Sequence, residues 1–151
     1  MSKVKSAEPA EATRLVQRHL VVGWSFLLVF LTLGIALEAF HGFKVRAYVD
    51  VENSMRRLMW TLAHAHGVLL GLVHLAFAVT VHLRPGANRG RSLASTCLVL
   101  SGVLLPGGFF LGGLVVHQGD PGVGVFLTPV GALLLFVAVA LTLRAVIVAR
   151  G

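Results

Sequence analysis

Apolar residues dominate four long blocks of the chain, and polar residues collect between the blocks. The blocks extend over about residues 20–40, 58–83, 93–117 and 123–147. Each block is long enough to cross a bilayer as a helix, for which about 20 residues suffice. Backbone polar groups inside lipid must be paired within the protein, and a helix pairs them within one segment. The pattern therefore predicts an all-α integral membrane protein with four spans.

The connections between the blocks are short, which favours antiparallel neighbouring helices. We expect a four-helix up-down bundle over residues 19–151, preceded by a polar cytoplasmic tail at residues 1–18. Residues 1–18 and the block after them are not typical of a secretory signal peptide. The apolar run is longer than the ~7–15 residues of a signal-peptide core.

Composition and charge agree with a membrane protein. The chain is 56% hydrophobic and 13% charged, whereas soluble domains average roughly 45–50% apolar and about 25% charged residues. The net charge is +7, but the Lys and Arg residues lie at block ends and in connections, which indicates topology rather than nucleic-acid binding. Nine of the 13 lie on the side of the two termini. We therefore expect a bacterial cytoplasmic (inner) membrane protein with both termini cytoplasmic.

Histidines are the candidate chemical groups. Four of the seven lie in the second block: His64, His66, His74 and His82. Ionisable side chains at that depth are costly and usually face a bundle interior or a watery cavity. His64 and His66 are separated by 200° around a helix, so we expect them to point to nearly opposite sides and not to chelate one ion together.

The predicted topology brings several of these groups to one level of the membrane. Glu38 and His41 end the first block on the outer side, His64 and His66 lie about two turns inside the second block, and His117 ends the third. We expect His64 or His66 to pair across a cofactor or ion with His41 or His117, with Glu38 accepting a ring N–H or passing a proton.

Two of the remaining histidines, His82 and His19, form a looser set at the cytoplasmic face on this topology. His74 lies between the two levels and is a further cofactor-binding candidate. His19 and His82 lie near the cytoplasmic interface, where we expect their polar tips to reach water. The pairs Gly67/Gly71 and Gly108/Gly112 predict close helix packing, although a glycine face can also support a flat ligand such as a porphyrin.

The run Ala63-His64-Ala65-His66-Gly67 resembles a histidine-x-histidine helix in the catalytic subunits of haem–copper oxidases and nitric oxide reductases, and in small uncharacterised four-helix membrane proteins that look related to them. The resemblance covers the second block only. It implies that His64 and His66 are axial-ligand candidates for b-type haem. It does not imply oxygen or nitric oxide reduction, because the chain has no copper-binding His-His pair and its single tyrosine, Tyr48, lies in a connection.

Three functions follow as expectations. The first is a membrane protein that binds haem b for electron transfer or small-ligand sensing. The second is a binding or transport protein for Zn²⁺ or Cu²⁺, with ligands from His41, His64, His117 and Glu38. The third is an accessory subunit of a larger membrane complex or a homo-oligomer. The chain contains no G-x-S-x-G, Walker or H-E-x-x-H motif that would indicate an enzyme class.

Overall fold

The computed structural model of the protein describes residues 2–49, 54–84 and 90–148, and this part of the chain is helical without a β-strand. The α-helices are α1 (Ser2–Gly42), α2 (Arg46–Val49), α3 (Ser54–Leu83), α4 (Arg91–Leu114) and α5 (Leu127–Val148), and a 3₁₀ turn at Val123–Phe126 precedes α5. Four of them are long and apolar enough to cross a membrane by length and composition. The prediction of an all-α fold with four long apolar helices is confirmed. The predicted connection charges Asp50, Glu52, Arg89 and the C-terminal Arg150 lie outside the described residues.

Two of the differences from the predicted boundaries concern the predicted tail and the predicted site. α1 begins at Ser2, so most of the predicted tail at residues 1–18 is a helical extension of the first apolar block. α4 ends at Leu114 rather than at residue 117, and Val115 adopts an extended conformation with φ −119° and ψ 106°. The position of His117 at the end of the third helix was therefore wrong.

A tight turn explains why α4 ends early. His117 and Asp120 exchange two backbone hydrogen bonds, of 3.1 and 2.9 Å. Between them Gln118 and Gly119 have φ of 52° and 89°, the pair of positive values that a two-residue type I′ turn requires. The chain must be extended on both sides of such a turn, and α4 cannot continue into it.

Glycines bring α1 and α3 into close contact. A Cβ added at Gly23 would lie 2.9 Å from the carbonyl oxygen of Gly71, and one added at Gly67 would lie 2.1 Å from the Phe30 ring. The lower-numbered contact on α1 meets the higher-numbered one on α3, so these two helices run in opposite directions. The Gly67/Gly71 pair thus serves helix packing, as predicted.

The second glycine pair brings α4 close to the segment that leads into α5. A Cβ at Gly108 would lie 2.8 Å from the Thr128 side chain, and one at Gly112 would lie 3.3 Å from the Val125 side chain. Further along α5, a Cβ at Gly131 would lie 2.7 Å from the backbone nitrogen of Leu105. This pair also serves helix packing.

The long helices pack mainly in chain order, α1 on α3, α3 on α4 and α4 on α5. The helix with two long neighbours is therefore more buried than the helices at the two ends of the series. Half of the most apolar stretch of α4 is buried, but only 22% of that of α1 and 11% of that of α5. Most of the apolar surface of the two outer helices faces away from the protein, where hydrocarbon would cover it at no cost.

Candidate functional site

A groove of about 600 Å³ lies between the C-terminal end of α1 and the N-terminal half of α3. We call it the α1–α3 groove. Apolar side chains such as Leu31 and Ile35 line part of it. Three predicted site residues, Glu38, His41 and His64, line it together with Tyr48. The sequence placed these three residues at one level of the membrane, and the fold brings them to one cavity.

A backbone hydrogen bond fixes the orientation of His64. Its Nδ1 lies 2.6 Å from the carbonyl oxygen of Phe30 on α1. A carbonyl can only accept, so Nδ1 carries the hydrogen, and the Nε2 of the neutral ring keeps its lone pair. Histidines that bind metals usually donate their other ring N–H to a carboxylate or a backbone carbonyl in this way. His64 Nε2 has no hydrogen-bond partner among the described residues.

Gly34 provides the space for this imidazole. A Cβ at residue 34 would lie 2.4 Å from His64 Cε1 and 2.7 Å from Nδ1. No other residue type would leave the ring in its position against α1. The glycine on one helix and the carbonyl four residues earlier therefore orient a histidine on the other.

Tyr48 joins the groove to a row of aromatic rings. The Tyr48 side chain is buried, with 5% exposed. Its ring stacks on Trp60 with centroids 6.4 Å apart, and Trp60 stacks on Phe110 of α4 at 5.8 Å. The Trp60 indole also donates to the Phe110 carbonyl at 3.2 Å. These contacts hold the short helix α2, and with it Tyr48, against the groove.

His66 faces the opposite side of α3, as its spacing from His64 predicted. Its ring lies 4.9 Å from that of Phe109 on α4, and its Nδ1 donates to the carbonyl of Leu62 at 2.9 Å. It does not line the α1–α3 groove. The two histidines therefore serve different surfaces of the helix.

The other predicted site residues do not join this groove. His117 lies in the turn after α4 with its side chain exposed. His74 lies further along α3 and is fully buried. Within the described ranges, no three His, Cys, Asp or Glu side chains form a group that could hold a metal ion.

A second polar cluster, which sequence reasoning did not find, joins three helices. His19 of α1 and His74 of α3 place their Nδ1 atoms 2.6 Å apart, and His19 Nε2 lies 2.8 Å from Ser95 Oγ of α4. All three side chains have an exposed fraction of 0%. The expectation that the His19 tip reaches water was wrong.

One atom of this cluster remains unsatisfied. His74 Nε2 is buried and has no hydrogen-bond partner in the part of the chain that the structure describes. It faces α4, where a Cβ at Gly102 would lie 3.1 Å from it. If Ser95 donates to His19, then His19 Nδ1–H donates to His74 and the unsatisfied atom is an N–H. If His19 Nε2–H instead donates to Ser95, then His74 Nδ1–H donates to His19, and the unsatisfied His74 Nε2 carries a lone pair.

A spacing argument could have indicated this cluster. His64, Gly67, Gly71 and His74 share one stripe of α3, and the two glycines of that stripe pack on α1. His74 must then face α1 as well, but only the contact pairing of the two helices shows that it meets His19.

Comparison with protein families, curated proteins and solved structures found no match to this chain. The chemistry of the groove and of the buried cluster is therefore the basis for assigning a function.

Proposed function

We propose that the protein is an integral membrane protein that binds b-type haem in the α1–α3 groove, with His64 Nε2 as an axial ligand to the iron. Haem held in this way would serve electron transfer or the sensing of a small ligand. The observation that carries the proposal is the hydrogen bond from His64 Nδ1 to the Phe30 carbonyl, since it leaves the Nε2 lone pair without a competing partner in the described residues.

The shape of the groove suits an amphipathic ring. Its volume of about 600 Å³ is within the roughly 300–1,000 Å³ that is usual for cofactor pockets. Apolar residues of α1 form one wall, and Glu38, His41 and Tyr48 lie toward the end of the helix. A porphyrin has a large apolar body, which matches the apolar wall of the groove.

The ligand set favours haem over a bare Zn²⁺ or Cu²⁺ ion. A structural zinc site uses four protein ligands, and a catalytic one uses three. Haem supplies four nitrogen ligands itself and needs only one or two from the protein. His41, which also lines the groove, would be the candidate for a second ligand to the iron, and Glu38 would accept a hydrogen bond from a ring N–H.

The membrane placement belongs to the same proposal. The four long helices would cross the cytoplasmic membrane of a bacterium as an up-down bundle, with both termini cytoplasmic. The exposed apolar surface of α1 and α5 supports contact with lipid or with a further copy or subunit. The role of an accessory subunit in a larger complex is compatible with this placement.

Absorption spectroscopy of the purified protein, expressed with sufficient haem, tests the proposal. We expect a Soret band at about one haem per chain and a shift of the visible bands on reduction. His64→Ala should abolish the band. His66→Ala is the matched control, since that histidine also donates to a backbone carbonyl but faces Phe109, and it should retain haem.

Two results would refute the assignment. If the wild-type protein has no Soret band but contains stoichiometric zinc or copper by elemental analysis, the protein binds the metal ion and not haem. Retention of haem in the His64→Ala variant would place the cofactor elsewhere.

A further inference from the structure

A second groove, of about 300 Å³, lies between α3 and α5, with α4 as its floor. Phe77 of α3 and Val139 of α5 form opposite walls, and the almost fully buried Leu98 of α4 lies beneath them. Nearly all of the lining is apolar. We call it the α3–α5 groove.

The two threonine hydroxyl groups that line this groove already donate hydrogen bonds within their own helices and do not need a polar ligand. Thr80 Oγ1 donates to the carbonyl of Ala76 at 2.8 Å, and Thr142 Oγ1 donates to that of Ala138 at 2.7 Å. Each hydroxyl is satisfied by its own helix, so the threonines contribute mainly their methyl groups to the surface. The groove therefore suits a hydrocarbon chain.

One end of the α3–α5 groove is basic. A smaller pocket shares Phe77, Thr80 and Thr142 with it and adds Arg84 and Arg91. The Arg91 guanidinium donates to the Arg84 carbonyl. The Arg84 side chain is exposed and has no hydrogen-bond or ion-pair partner among the described residues. Arg84 is therefore the cation available to an anion at this end.

We propose that the α3–α5 groove binds one anionic phospholipid, with an acyl chain along the groove and the phosphate at Arg84. Basic pockets between transmembrane helices on the cytoplasmic side bind anionic head groups. The end where α3 stops and α4 begins is the end that the charge distribution predicts to be cytoplasmic. The inference rests on the membrane placement in the proposed function and is independent of haem.

Native mass spectrometry of the delipidated full-length protein tests this site. The protein is titrated with phosphatidylglycerol and with phosphatidylcholine of the same acyl chains. One arginine near an anionic head group is worth roughly fivefold in affinity, so we expect phosphatidylglycerol to bind about that much more tightly. Arg84→Gln should remove the preference.

Arg144→Gln is the matched control for charge. Arg144 is an exposed arginine of α5 that does not line the groove or the basic pocket, so this variant should keep the preference. Equal affinity for the two lipids in the wild-type protein would overturn the proposal. An equal loss in the two arginine variants would also overturn it, because it would indicate a general effect of net charge.

A second pair of variants tests the acyl chain. Val139→Trp should fill the groove and weaken binding of both lipids, whereas Leu133→Trp, at an exposed α5 position outside the groove, should not. Unchanged binding in Val139→Trp would refute the placement of the chain. The absorption spectrum of the same preparations separates the two proposals, since loss of lipid preference with haem retained concerns this site alone.

Discussion

At the scale of single residues, the hydrogen bond of one ring nitrogen determines what the other can do. His64 and His66 both donate Nδ1–H to a backbone carbonyl, so each keeps a lone pair on Nε2. His19 and His74 use their Nδ1 atoms on each other instead. The same residue type thus keeps a free ring nitrogen in one place and links two helices in another.

The buried cluster should contribute to stability. Removing one partner of a buried hydrogen bond leaves the other unsatisfied and costs about 1–3 kcal/mol. We expect His19→Leu and His74→Leu each to lower the unfolding free energy by about this amount, and the double variant to lose less than the sum. Chemical unfolding in detergent, followed by circular dichroism, measures these changes.

The control for this prediction is His82→Leu, because His82 lies on the same helix with its side chain exposed. It should change the unfolding free energy by about 0.5 kcal/mol or less. Strict additivity of the His19 and His74 substitutions would contradict a direct interaction between the two rings.

The sequence predicted individual site residues only in part. Depth along each helix follows from counting residues, and it brought Glu38, His41 and His64 together correctly. It also included His117, because the positive φ of Gln118 (52°), a residue without the freedom of glycine, has no clear signal in the sequence. The pairing of His19 with His74 depends on helix rotation and on which helices are neighbours.

At the scale of helices, hydropathy predicts the elements, and close contacts set how they face each other. The four apolar blocks were predictable because about 20 apolar residues are a strong signal. Helix rotation was not, since the apolar blocks lack a polar face that would orient them. Glycines such as Gly23 and Gly71 determine it, because they allow the backbones of α1 and α3 to approach.

Gly34 links helix packing to the proposed haem site. A Cβ at residue 34 would lie 2.4 Å from His64 Cε1, so Gly34→Ala should displace the imidazole from the Phe30 carbonyl. Alanine favours a helix over glycine by about 1 kcal/mol, so the helix itself should not suffer. We expect lower haem occupancy with unchanged helix content, measured by the Soret absorbance per chain and by circular dichroism.

Gly107→Ala is the matched control for Gly34→Ala. A Cβ at residue 107 meets no atom within 4 Å, so this variant should keep full haem occupancy. Full occupancy in Gly34→Ala would show that the orientation of His64 does not depend on this glycine.

At the scale of the whole molecule, the helices are buried unequally and the charges are distributed unequally. Half of the most apolar stretch of α4 is buried, whereas α1 and α5 expose most of their apolar surface. Nine of the 13 Lys and Arg residues lie in residues 1–18, 84–91 and 144–150, which the proposed topology places on one side of the membrane. The first property favours a lipid environment, and the second favours the proposed orientation in it.

The orientation can be tested with single cysteines. On a Cys97→Ser background, Val123→Cys lies in the turn before α5, where the native side chain is 85% exposed, and Ser6→Cys lies near the N-terminus. We expect a membrane-impermeant maleimide to label the cysteine at residue 123 in cells whose cytoplasmic membrane is intact, and to label that at residue 6 only after permeabilisation. The reason is that cytoplasmic segments retain the excess of Lys and Arg. Labelling at residue 6 without permeabilisation would show that the protein has the opposite orientation. The basic end of the α3–α5 groove would then lie in the outer leaflet, and the argument for an anionic lipid would no longer hold.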